Sequence, residues 1–374
     1  MITIRRISLR EIHLPLLEPF TISSGTQDMR RITLVEVQDA DGIIGWGECA
    51  ASEYPNYMPE TIDTAWLAIE AWIAPRLLGR EMSGPSNVFP LLQAEIKGHL
   101  MAKAAVEMSV WELTARKKGL SLARVLGGTR GAIEVGRSIG VQTSVDALIE
   151  RVQSSLDEGY RRIKLKIRPG ADAAFVRAVR DAVGPRAPLM VDANSAYTLS
   201  DITAFREMDD LGLMMFEQPL AWDDLVRHAE LQKQLITPIC LDESITGVER
   251  AEDMVKLSAG RIINIKPARV GGFASAVAIH DYCREHSVPV WCGGMLESGI
   301  GRAHNVALAS LPNFTIPGDT SPSRRYWERD IVSPEWEMDR SGTIKVPVDT
   351  PGMGVQVDMD RVENLTVRAR DMRK

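Results

Sequence analysis

The sequence predicts a two-part α/β chain, with an α+β domain first and an eight-stranded parallel barrel after it. Three observations predict this. The stretch Arg162–Ile167 alternates, so Lys164 and Lys166 share one face of a strand while Ile163, Leu165 and Ile167 take the other. Successive strand-like runs then end in chemically loaded residues, Lys166, Asp192, Glu217, Asp242 and Lys266, at steps of 26, 25, 25 and 24 residues. Such a period is that of one strand, one helix and two short loops, and parallel barrels carry functional residues at the carboxyl ends of their strands. Third, 374 residues exceed the roughly 250 of a lone barrel, leaving room for another domain.

In chain order, Ile4–Pro15, Arg31–Asp39 and Ile43–Cys49 alternate as antiparallel strands, with Asp41-Gly42 as a hairpin turn between the last two. Pro19–Gly25 reads as a loop carrying Phe20 and small hydroxyls, and Tyr54-Pro55-Asn56-Tyr57 as a second loop. Glu60–Leu78 and Met101–Lys118 have helical patterns, the latter closed by Gly119 as a C-cap. Leu126-Gly127-Gly128 punctuates the chain, which sets the expected division at 1–130, 131–325 and 326–374. The barrel strands read as Ile133–Val141, Arg162–Ile167, Leu189–Asp192, Leu213–Glu217, Ile239–Asp242, Arg261–Lys266, Val288–Cys292 and Phe314–Pro317. Helical patterns such as Val145–Glu158 and Gly271–Glu285 fill the gaps. The polar tail, with Pro347, Pro351, Gly352 and Gly354, reads as extended segments that pack back on the first domain.

Composition narrows the function classes. Hydrophobic content of 45% and charged content of 25% describe an ordinary globular protein, and a net charge of −6 offers no footprint for nucleic acid or an anionic membrane. Cys49, Cys240, Cys283 and Cys292 lack C-x-x-C spacing and read as buried free thiols of a cytoplasmic protein. No apolar run approaches the length of a membrane span, and the start lacks the apolar core of a signal peptide. The expected partners are a small-molecule carboxylate and further copies of the chain in a homo-oligomer.

Asp192, Glu217 and Asp242 each have a plain structural reading: a turn, a loop and a helix N-cap. Their regular spacing instead brings three carboxylates to one side of a barrel mouth, where they stay ionised only with a cation, and hard oxygen ligands suit Mg²⁺ or Mn²⁺. Strands four apart face each other across a barrel, so Lys166 on the second opposes Lys266 on the sixth. An acid/base pair around a metal-held substrate fits removal of a proton α to a carboxylate, because the metal offsets the charge of the enediolate. A lysine base must lose about three pKa units to act near neutrality, roughly 4 kcal/mol, and Lys164, the metal and burial are expected to supply this.

The motifs Lys164-Leu165-Lys166, Asp192-Ala193-Asn194, Glu217-Gln218-Pro219, Asp242-Glu243-Ser244 and Asn264-Ile265-Lys266-Pro267 resemble those of the enolase superfamily, muconate-lactonizing subgroup. Lysine or histidine bases with Mg²⁺ are the general pattern there. Lys266–Gly272, Trp291–Asn305, Pro317-Gly318-Asp319 and Arg325-Tyr326-Trp327 more narrowly resemble the o-succinylbenzoate synthase / N-succinylamino acid racemase family. The resemblance implies a (β/α)7β modified TIM barrel under an N-terminal capping domain, with loops near Thr21–Gly25 and Tyr54–Tyr57 closing over the substrate. It implies catalysis by Lys166 and Lys266 with Lys164, and substrate contacts from Ser138, Asn194, Tyr57, Gly294 and Met295. The activity it implies is dehydration in menaquinone synthesis, racemisation of N-succinylamino acids, or both.

Rival readings fit less well. A mandelate-racemase type needs a histidine near the seventh strand, which here ends Trp291-Cys292-Gly293-Gly294, and His304 reads as helical and structural. A dipeptide epimerase carries Asp-x-Asp after the eighth strand, where this chain has Asp319-Thr320-Ser321; the Gly-Gly-Met-Leu-Glu-Ser run argues against a muconate cycloisomerase. A metal-dependent aldolase or hydrolase would not need the paired lysines. Arg269, three residues past Lys266, is expected to approach that lysine from behind the substrate and lower its pKa, which would favour racemisation; the alternative is an arginine that merely pairs with a carboxylate.

Overall fold

Alternation over the first fifty positions folds as β1 (Ile2–Ile22), β2 (Gly25–Asp39) and β3 (Ile44–Cys49), an antiparallel meander. The structure is a computed structural model describing residues 1–22, 25–170 and 172–374, so Ser23 and Ser24 of the expected loop lie outside the described residues. The rest of that loop is corrected. The ladder breaks after Pro15↔Met29 and resumes at Phe20↔Gln27, running on to Ile22↔Gly25. Pro15 and Pro19 have no N–H to give, which accounts for the gap, while the β-favouring Phe20-Thr21-Ile22 restores pairing.

Helix Leu100–Lys118 lies against this sheet and ends at Gly119 in the left-handed region, as expected. Its approach depends on glycine: a Cβ on Gly47 would stand 2.0 Å from the Ala105 carbonyl oxygen. The expected helix Glu60–Leu78 is present from Ile62 to Leu77, with a π turn at Ile69–Ile73. Pro75 just beyond cannot donate to the preceding turn, and a widened turn accommodates the lost bond.

After the short β4 (Glu81–Met82) and β5 (Ala132–Glu134) comes the sheet that carries the chemistry. It comprises β6 (Arg137–Ile139), β7 (Ile163–Lys166), β8 (Leu189–Asp192), β9 (Phe216–Glu217), β10 (Ile239–Leu241), β11 (Ile262–Ile265) and β12 (Val290–Cys292). These seven are parallel and lie side by side in sequence order, with helices between them. The segment after β12 touches both ends of the sheet by single parallel bridges, Val290↔Phe314 and Val135↔Gly318.

The tail contributes β13 (Val332–Ser333), β14 (Thr343–Lys345), β15 (Gln356–Val357) and β16 (Thr366–Arg373), besides a helix at Met359–Leu365. β16 adds to the free edge of β1, from Arg6↔Arg373 to Ile12↔Thr366, whereas β14 pairs with β5. The expected single strand Ile133–Val141 is therefore split, β5 facing the tail and β6 the parallel sheet. The split falls at Gly136, where a Cβ would meet the Arg162 backbone carbonyl and guanidinium at 2.8 Å. All four cysteines are free and buried, and among the described residues no helix is long and apolar enough to cross a membrane.

Candidate active site

The first two sequence steps, 26 and 25 residues, are register pairs of the parallel sheet, and the later two reach residues just past the ends of their strands. Lys166 stands opposite Asp192, Asp192 opposite Glu217, and Glu217 opposite Cys240, which puts Asp242 just past the end of β10 and Lys266 just past β11. Alternation sends Lys164 and Lys166 to the same side of β7, and both are largely buried.

Cations and carboxylates interleave. Lys166 Nζ lies 2.6 Å from Asp192 Oδ2 and 2.6 Å from Asn194 Oδ1. Lys164 Nζ reaches Asp319 Oδ2 at 2.6 Å, Glu217 Oε2 at 3.1 Å and Asp192 Oδ2 at 3.3 Å. Across the site, Lys266 Nζ is 2.8 Å from Asp242 Oδ2 and 3.1 Å from the Tyr57 hydroxyl. Asn264 donates to Glu217 Oε1 at 2.8 Å, and Asn194 to Glu243 Oε1 at 3.2 Å. Gly293 makes room for this packing, since a Cβ there would sit 2.6 Å from Lys266 Cε. Asp192, Glu217, Asp242 and Asp319 are each turned towards a cation, and among the described residues no three His, Cys, Asp or Glu side chains gather on one point as metal ligands.

Burial and charge pull the titrations apart. Burial, reinforced by Asp192, pushes Glu217 up to about 8, and burial with Asp242 does the same for Glu243. For Asp192 burial acts upward too, but the Lys166 and Lys164 ammoniums outweigh it and hold the carboxyl below its usual range. Asp242 is likewise held down by Lys266 and Arg269 against burial. Lys164 is driven well up despite burial, by Asp319, Glu217 and Asp192.

Lys266 requires a correction. Burial lowers its pKa, yet Asp242 and the Tyr57 hydroxyl raise it further, so its net shift is upward rather than towards a free base. Arg269 does not act on it as expected. Its Nη1 pairs with Asp242 Oδ1 and lies 3.3 Å from the Tyr57 hydroxyl, while Nε and Nη2 donate to the carbonyls of Ile245 and Asn264. Arg269 is thus the carboxylate-paired arginine of the alternative reading.

A cavity of about 630 Å³ opens over these residues. Its floor includes Lys164, Lys166, Lys266, Asn194 and Ser138, whose hydroxyl has no partner among the described residues. Tyr57, Gly294 and Met295 contribute to its walls, as do Phe20 and residues 25–31 of the first sheet. Asp192, Glu217, Asp242 and Arg269 do not line it and are fully buried. His304 is buried in helix Gly299–Ala309, edge-on to Phe273 and outside the cavity lining.

Sequence reasoning missed three residues. Arg162 is fully buried and pairs with Asp319. Alternation carried the signal, since positions 162, 164 and 166 share a face. Asp319 was visible only within a resembling motif, although it bridges Arg162 and Lys164. Glu243 was hidden as the neighbour of Asp242, with no pattern of its own.

Comparison with known proteins agrees with this geometry. Residues 147–361 match the enolase C-terminal domain-like family, and residues 5–127 match the N-terminal domain of mandelate racemase / muconate lactonizing enzyme. The chain belongs to the enolase superfamily. Within it, the sequence is 50% identical over 369 residues to an o-succinylbenzoate synthase of Geobacillus kaustophilus, covering 99% of this chain and 97% of the relative. It is 45% identical over 369 residues to an N-succinylamino acid racemase of Thermus thermophilus, covering 99% of each. A crystal structure of an enolase-superfamily member from Listeria innocua superposes with a TM-score of 0.96 at 42% identity, over all of both chains. This superfamily member therefore has the mixed α/β fold of its relatives, with a parallel sheet and a separate N-terminal domain.

Proposed function

We propose that this enzyme removes the proton α to a carboxylate and acts as an o-succinylbenzoate synthase, an N-succinylamino acid racemase, or both. The observation that carries the reading is the placement of Lys166 and Lys266 in one cavity, separated in the sheet by the strands of Asp192, Glu217 and Asp242. In racemisation one lysine takes the Cα proton and the other returns a proton to the opposite face, inverting the centre. In syn dehydration Lys166 breaks the C–H bond and the same ammonium protonates the departing hydroxyl, so that water leaves and a C=C bond forms. Lys266 then serves as a cation against the developing negative charge. Ser138, Asn194, Tyr57, Gly294 and Met295 are assigned to holding the substrate, and Arg269 to fixing Asp242 and Tyr57.

Asp192, Glu217 and Asp242 fit a Mg²⁺ or Mn²⁺ site in donor chemistry, being buried oxygen ligands on adjacent strand ends, and Glu243 Oε2 beside them is buried with no partner among the described residues. When bound, such an ion supplies positive charge to the substrate oxygen that becomes negative as the proton leaves. Lys164 balances the excess of carboxylates on its side, with Asp319 and Arg162 locking it in place.

The reading includes a (β/α)7β barrel, supported by the bridges of Phe314 and Gly318 to the two ends of the sheet. It includes divisions near 130 and 325, a homo-oligomeric state and a cytoplasmic location, the last supported by four free thiols. Side-by-side assays of both reactions test the function. Lys266→Ala should abolish racemisation, and normal turnover of both enantiomers by that variant refutes the pairing.

A further inference from the structure

Six basic side chains line the cavity wall or floor: His13, Arg30, Arg31, Lys164, Lys166 and Lys266. Five of them have a carboxylate within ion-pair distance. Lys164, Lys166 and Lys266 hold the acidic residues of the barrel, Arg31 holds Glu11 and Asp63, and His13 lies 3.2 Å from Glu11. Arg30 alone among these six has no carboxylate within 4.0 Å among the described residues. It is only 2% exposed, its Nη2 donates to the Ala50 carbonyl at 3.2 Å, and its Nε is buried with no partner among the described residues.

The acidic groups nearest in charge terms are committed elsewhere. Glu48 accepts from the Ser298 backbone and hydroxyl at 3.0 and 2.5 Å and from Gly301 N at 2.9 Å. Glu297 accepts from Met295 N and Asn305 Nδ2, at 2.8 and 2.9 Å. They stabilise a buried positive charge at a distance without filling its hydrogen-bonding fork. A buried guanidinium with an idle N–H costs stability unless something else completes it, and its planar donors match a carboxylate. Arg30 sits on β2, in the wall that the first domain contributes, whereas the proton chemistry belongs to the barrel floor.

We propose that Arg30 is the anchor for a second, distal carboxylate on the substrate, the one remote from the carbon that loses its proton. The proposal rests on the function assigned above, because o-succinylbenzoate precursors and N-succinylamino acids both carry a succinyl carboxylate. Arg30 thereby selects dicarboxylates over acyl groups that end in a methyl.

The test compares an N-succinylamino acid with the N-butanoyl analogue, which replaces the distal carboxylate by a methyl group. For Arg30→Met, KM for the succinyl substrate should rise by roughly ten- to a hundredfold, while KM for the butanoyl substrate changes less than about threefold. Arg30→Lys, which keeps the charge without the fork, should recover part of the loss. Calorimetric binding of N-succinylglycine and N-butanoylglycine supplies a readout independent of turnover. A wild type that turns over neither substrate, yet binds N-succinylglycine through Arg30, overturns the proposed function and leaves the anchor standing. Equal losses on both substrates in Arg30→Met, or equal wild-type binding of the two glycine derivatives, overturn the anchor.

Discussion

Asp242 carries more of the site than one charge suggests. Lys266, Arg269 and the Tyr57 hydroxyl, which donates at 2.9 Å, all converge on its carboxylate. Asp242→Asn should weaken activation by Mg²⁺ at least about tenfold, read as the metal concentration for half-maximal activity, because a neutral amide forfeits a charged ligand. Full activity of this variant in the presence of a chelator contradicts the metal assignment. Asp319 is not among the three carboxylates assigned to the metal, yet it bridges two cations. It is held below the usual carboxylate range because Arg162 and Lys164 outweigh the upward push of burial. Asp319→Asn leaves the buried Arg162 without a carboxylate and takes one of three from Lys164, which keeps Glu217 and Asp192, and a loss of about 3–5 kcal/mol in unfolding free energy is expected by chemical denaturation.

Among the elements, helix Gly299–Ala309 buries His304, and burial holds its imidazole down to about 4. An unfolded histidine titrates near 6.5, so as the pH falls from about 6.5 the unfolded chain gains a proton that the folded chain refuses. The contribution is complete above that range and is lost towards pH 4, by up to roughly 3 kcal/mol. Denaturation curves of wild type and His304→Gln across this window check it: the variant's stability should fall less steeply with acid. Helix Leu100–Lys118 and its glycine cap are legible because period and cap agree, and the barrel ends are legible because each strand, helix and pair of loops takes a similar length of chain. The Pro19–Gly25 stretch misleads, since prolines and small hydroxyls look like a loop whereas cross-strand pairing with Gly25–Gln27 decides its form. Ile133–Val141 hides its break, because the competing partner β14 lies more than two hundred residues away. Charge pairing among Lys164, Arg162 and Asp319 is equally invisible locally, as it forms only when the last segment returns to the first strands of the sheet.

For the whole molecule, the cavity lies between elements of both parts: its floor is the parallel sheet and one wall is β2. β16 ties the end of the chain to the edge of that first sheet. Removing Thr366–Lys374 should leave the β1 edge unpaired, lowering the unfolding midpoint and promoting association, as light scattering during a thermal melt would register. Racemisation at this site requires two lysines working from opposite faces of one carbon. The direct measurement follows deuterium entry at Cα of each enantiomer of an N-succinylamino acid in D₂O, for wild type, Lys166→Ala and Lys266→Ala. The wild type should exchange both enantiomers, and each variant should lose rapid exchange of one, the two variants losing opposite hands. No exchange in the wild type, or undiminished exchange of both hands in either variant, contradicts it.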